Sequence, residues 1–149
     1  MSRTALVLAV ALPLAAADLV WKHVATTPPW AYHPRGPGWL ALSIALVGVA
    51  LAAARLPSLL AILAAGATAG GVLGNVLSAA WNDLRVPDPI IVDPSPTSVI
   101  AFNLADVFTS AGILALTGSF AAALVRHRHL LTSRQDVQAA VWRAVRRRR

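Results

Sequence analysis

Six aspartates and no glutamate supply every carboxylate of this 149-residue chain. One of them, Asp106, lies in the apolar run from Val99 to Val125, where an ionisable group is costly unless it faces a partner or a water-filled cavity. Asn103 and Ser110 fall at helical spacing on either side of it, so a helix there carries three polar groups on one face. The preceding apolar run holds a second polar pair at the same spacing, Asn75 and Ser78. It also carries Gly66, Gly70 and Gly74, a four-residue repeat that lets another helix approach closely. Carboxyl, amide and hydroxyl groups gathered between helices are equipped to move protons, in acid–base catalysis or in proton-linked transport; without either role they form a polar packing seam.

The elements that must position these groups are membrane spans. The chain is 57% hydrophobic and 13% charged, with a mean hydropathy of +0.65, too apolar for a soluble domain of this size. Crossing the hydrocarbon takes about 20 largely apolar residues. Four stretches qualify: Thr4 to Val24, Gly38 to Leu56, Ser58 to Ala80 and Val99 to Val125. The expected fold is an all-α, antiparallel bundle of four transmembrane helices over residues 1–125, followed by a tail over 126–149. Thirteen Lys and Arg give a net charge of +7. Most of the arginines lie in that tail, and Arg3 and Arg55 mark the other ends on the same side, so both termini are expected in the cytoplasm of a cell-membrane protein.

Orientation accounts for the basic excess, and no nucleic-acid partner is expected. Arg3, an apolar run and Ala15 to Ala17 also fit a secretory leader, but retaining this helix preserves the charge asymmetry, and it is read as an uncleaved span. Thr26 to Pro37 and Trp81 to Ser98 are external and rich in proline. Ser58 suits the cap of the third helix. The tail, with Ser133 and Asp136 as a capping pair and Val137, Val141 and Val145 at helical spacing, reads as a basic amphipathic helix on anionic lipid. The absence of cysteine excludes thiol chemistry and Cys-based metal sites. His23, His33, His127 and His129 are read as interfacial, so neither metal nor cofactor is expected.

Two motifs resemble those of lipoprotein signal peptidase, the signal peptidase II family. Gly70-Gly71-Val72-Leu73-Gly74-Asn75 is similar to its G-G-x-x-G-N, and Phe102-Asn103-Leu104-Ala105-Asp106 to its F-N-x-A-D. Asp18 and Lys22 keep the acid and base of its D-Q-x-x-K element, with Leu19 at the glutamine. The resemblance spans residues 5 to 125. It implies a monomeric membrane aspartic endopeptidase that cleaves diacylglyceryl prolipoproteins. Asp106 is then catalytic, and Asn75, Asn103, Asp18, Lys22 and Gly74 form the substrate-binding set. The family's G-N-x-x-D-R reads Gly74-Asn75-Val76-Leu77-Ser78-Ala79 here, so Ser78 stands where a catalytic aspartate is expected and catalysis is expected to be impaired.

The first external segment, in which the family carries a small sheet over the site, is reduced to Thr26 to Pro37, with His33-Pro34-Arg35-Gly36 as a remnant. Asp88 stands near the family's V-V-D. Asp83 or Asp88 folding back would supply a second carboxylate, and Ser78 with Lys22 would form a serine–lysine pair. Outside peptidase chemistry, the site fits a non-catalytic protein binding a lipidated peptide or a partner helix, or a small transporter using Asp106.

Overall fold

The computed structural model describes residues 2–95 and 98–128. Helix α1 (Arg3–Val24) starts on Ser2, whose hydroxyl accepts from Ala5 N at 3.1 Å, and ends with Lys22 and His23 beside its carbonyl end. Helix α2 (Pro37–Ala53) opens with proline in its first turn. Helix α3 (Leu59–Trp81) is capped by Ser58, as its sequence position predicts. Helix α4 runs from Leu104 to Arg126. Three helices, α1, α3 and α4, are long and apolar enough to cross a membrane, whereas α2 is equally apolar but has 17 residues, about 25 Å of rise.

The glycine repeat does what its spacing predicts. A methyl group at Gly66 would strike Val10, at Gly70 the Ala11 carbonyl oxygen at 2.7 Å, and at Gly74 the Asp18 carboxylate at 2.7 Å. Helix α1 therefore lies along this stripe, meeting it with Val7, Val10, Ala11, Leu14 and Asp18. On another face of α3, Gly71 meets Ala105 and Thr109, and Gly112 of α4 sits against Thr68 and the Ala64 carbonyl. Near the start of α1, Ala50, Ala53 and Ala54 pack with Val7, Ile62, Ala64, Ala65 and Leu116. There the Arg3 guanidinium donates to the Arg55 carbonyl, tying the start of α1 to the turn between α2 and α3.

The all-α expectation is corrected outside the helices. Strand β1 (Tyr32–Pro34) pairs antiparallel with β2 (Arg85–Pro87), His33 opposite Val86, and β3 (Ile90–Ser95) forms a hairpin with β4 (Ser98–Phe102). The chain reverses out of α3 through Asp83 and Leu84, both with positive φ; for the apolar Leu84 this costs about 1–2 kcal/mol. The fourth apolar run does not become helix at Val99. Its β-branched start pairs across to Ile90, Ile91 and Val92, and α4 begins only after Asn103.

Contacts divide the chain into a unit over Met1–Ser119 and a second from Phe120 on. The described part of the second is the end of α4 with His127 and Arg128, and His127 N donates to the Ala123 carbonyl. The amphipathic helix expected in the tail lies outside the described residues.

Candidate active site

The site is built around the start of α4. The Asn103 side-chain oxygen accepts from Asp106 N at 3.0 Å, and Asp106 Oδ2 accepts in return from Asn103 N at 3.2 Å. This is a reciprocal capping box with aspartate at its third helical position. Asn103 and Asp106 thus hold the helix end, rather than sharing a face in the middle of a span. The third member of that expected face, Ser110, is exposed but lines the same cleft as Asp106 and Asn75.

From this cap a hydrogen-bonded network extends in two directions. Asp106 Oδ1 accepts from Asn75 Nδ2 at 2.9 Å, and Asn75 Oδ1 accepts from Lys22 Nζ at 2.7 Å. Lys22 also pairs with Asp18 Oδ2 at 2.7 Å, and Asp18 Oδ1 accepts from Ala105 N at 2.8 Å, which closes a ring through α1, α3 and α4. Asp18 is fully buried and sits at the positive end of α4, so a backbone amide and an ammonium both offset its desolvation.

In the other direction Asn103 Nδ2 donates to Asp88 Oδ1. Asp88 Oδ2 pairs with His33 Nδ1 at 2.5 Å and stands 4.0 Å from the Arg35 guanidinium, while its backbone N donates to the Ala31 carbonyl at 3.0 Å. The β1–β2 pairing is what presents His33 and Arg35 to it. A single buried asparagine therefore holds two carboxylates, Asp106 through its backbone N and Asp88 through its side-chain amide.

Asp88 was legible only as a residue ordering the second external segment or as a distant substitute; the structure makes it 2% exposed and bonds it into the site. The reduced first external segment still forms a strand, because the second external segment supplies β2, with which β1 pairs. Asp83 is exposed.

Ser78 is buried near the outer end of α3, where its carbonyl accepts from Asn82 Nδ2 at 2.7 Å. It shares a cavity wall with Lys22, while Asp106 lines a different cleft. That cleft, about 140 Å³, lies between α2, α3 and α4 and is lined by Trp39, Leu42, Ser43, Val72, Asn75 and Thr109 among others. The Thr109 hydroxyl is buried there with no hydrogen-bond partner among the described residues. Trp39 also walls an apolar furrow of about 340 Å³ with Leu40, Val76, Ala80 and Leu84, and Arg35 stacks over the Trp39 ring at 5.4 Å. Gly74 and Asp18 lie in the packing frame behind the cleft and line neither space. Among the described residues no group of three or more His, Asp or Glu is placed to hold a metal ion.

No family model matches this sequence, and no curated protein matches it. Among solved structures it is similar to one described as "Bacterial membrane enzyme structure by the in meso method at 2.3 A resolution", with a TM-score of 0.57 and 16% identity. The match covers 86% of this chain and 92% of that one, so the chain has the fold of a bacterial membrane enzyme.

Proposed function

We propose that this protein is a signal peptidase II-like aspartic endopeptidase of the bacterial cytoplasmic membrane, spanning it four times with both termini inside, and that its two carboxylates are Asp106 and Asp88. The observation that carries this reading is Asn103, which binds both carboxylates at once. A two-carboxylate hydrolysis needs one group to take a proton from water while the other, protonated, polarises the scissile carbonyl. Asp106 opens on the cleft and suits the base; Asn75, itself held by Lys22, orients it. Asp88 suits the acid. It is covered by His33 and Arg35, and a peptide reaching both carboxyls displaces the His33 imidazole, whose Nδ1 proton passes to Asp88 as the ring leaves and makes Asp88 the protonated partner. The cleft would take the peptide, with Thr109 offering its hydroxyl to the backbone, and the apolar furrow beside Trp39 would take lipid chains. In this reading Ser78 is not a lost catalytic position.

The test is cleavage of a diacylglyceryl prolipoprotein by the full chain in lipid vesicles. Cleavage that is abolished by Asp106→Asn and equally by Asp88→Asn, and unaltered in kind by Ser78→Asp, is the expected result. Cleavage that survives Asp88→Asn overturns the pairing. An inactive native chain that becomes active only as Ser78→Asp restores the reading of an impaired site, and an inactive chain that still retains the lipopeptide identifies a binding protein.

A further inference from the structure

On the other side of the Lys22–Asn75 bond from Asp106, the outer ends of α1 and α3 and the β1–β2 ribbon enclose a cavity of about 450 Å³. Its wall is polar and contains no carboxylate: Lys22, His23, Tyr32, Ser78 and Asn82 supply the polar groups, and Trp81 stands at the edge, 71% exposed. The Lys22 ammonium has three N–H donors. Asp18 and Asn75 take two, leaving one with no protein partner among the described residues. Asp18, which balances the Lys22 charge, is fully buried and forms no part of this wall. The cavity therefore presents donors, a cation and an imidazole to whatever enters, at the level of the helix ends where Trp81, Trp21 and Trp30 are exposed as interfacial aromatics are.

We infer that this cavity binds a phosphate group, that of an anionic phospholipid headgroup, through Lys22, His23 and the Ser78 hydroxyl. The volume admits a glycerophosphate head while the acyl chains stay in the bilayer beside α1 and α3. Because Lys22 bonds Asn75, and Asn75 bonds Asp106, the bound anion draws on the same ammonium that orients the cleft. The site shares Lys22 with the peptidase reading, through Asn75, but does not depend on it, since its ligand and its other residues, His23 and Ser78, take no part in peptide cleavage.

The test uses the full chain in nanodiscs of phosphatidylcholine with increasing phosphatidylglycerol, followed by native mass spectrometry of the released protein. One phosphatidylglycerol retained against excess phosphatidylcholine is expected, with retention falling about tenfold or more in Lys22→Gln, as loss of a charge-assisted hydrogen bond implies. Lys22 also serves the buried ring, so His23→Ala and Asn82→Ala, both on exposed residues, test the same cavity without touching that ring. They are expected to lower retention several-fold. A second arm adds inorganic phosphate to the chain in lipid-free detergent. Protection against heating by millimolar phosphate, lost in His23→Ala, assigns the anion to a soluble source and keeps the site. Equal retention of the two lipids with no protection by phosphate, or retention indifferent to all three substitutions, overturns it.

Discussion

Asn103 is the residue on which the geometry of the site turns, and replacing it separates two contributions. Asn103→Ala removes the cap acceptor for Asp106 N, worth about 0.5–2 kcal/mol. It also removes the donor to the buried Asp88 carboxylate, and a hydrogen bond to a charged group contributes about 1.5–3 kcal/mol. The sum is about 2–5 kcal/mol, a large part of a typical total stability of about 5–15 kcal/mol. Asn103→Ser keeps a good cap but cannot reach Asp88, so it is expected to cost about 1.5–3 kcal/mol and to restore part of the loss. Denaturant unfolding in mixed micelles, followed by tryptophan fluorescence, reads both. The control is Asp88→Ala, in whose background Asn103→Ser is expected to cost less than about 0.5 kcal/mol because the bond it removes is already gone. If Ala and Ser are equal and each costs under about 0.5 kcal/mol, or if the two substitutions add without coupling, Asn103 does not hold Asp88 and the proposed pair loses its scaffold.

Other consequences follow from the same contacts. Gly71→Ala places a methyl against the Ala105 carbonyl and Thr109, and is expected to destabilise by about 1–3 kcal/mol, whereas Gly48→Ala, with open space around it, is expected to be neutral or slightly stabilising; thermal denaturation compares them. Asp18→Asn leaves the buried Lys22 without its counter-ion and is expected to cost about 3–5 kcal/mol, with much of that recovered in the double variant with Lys22→Met. Under the peptidase reading, kcat/KM is expected to be bell-shaped in pH, and Asp88→Asn and Asp106→Asn each to abolish cleavage rather than displace one limb; a flat profile refutes two-carboxylate catalysis.

The helices were legible where hydropathy alone decides them. Helix α3 begins at the serine its sequence marks as a cap, and the glycine repeat correctly announced a close neighbour, which proved to be α1. The start of α4 was misread because Val99 to Phe102 is as apolar as a span. The signals for a strand and a cap were nevertheless present: the β-branched runs Ile90 to Val92 and Val99 to Ile100 on either side of a stretch rich in proline and serine, then Asn103 with a carboxylate three positions on. The Asp18–Lys22 pair follows from one-turn spacing. The meeting of His33, Arg35 and Asp88 does not follow from local sequence, since it depends on register between strands separated by two helices. A proline-rich segment does not by its composition fix the position of Asp88. Pairing, with the bond from Asp88 N to Ala31, supplies the rigidity that the loop composition does not suggest.

Under the peptidase reading, Asp106 carries two demands that pull against each other. As the third residue of α4 it stabilises the helix by accepting from Asn103 N, which an ionised carboxylate does best. As the proposed base it would take up a proton during the reaction and, for that interval, would hold the cap less well. The surrounding contacts limit the cost. Asp18 remains bonded to Ala105 N, and Asn103 still accepts from Asp106 N, so the end of α4 keeps two of its three side-chain bonds while Asp106 is protonated. Asp18 is thereby a structural carboxylate that leaves the other free to change charge. This division explains why a buried acid and base pair belongs beside the site without lining the cleft, and it predicts that Asp18→Asn weakens turnover through misplacement of α4 while leaving the shape of the pH profile unchanged, which steady-state kinetics across pH would show.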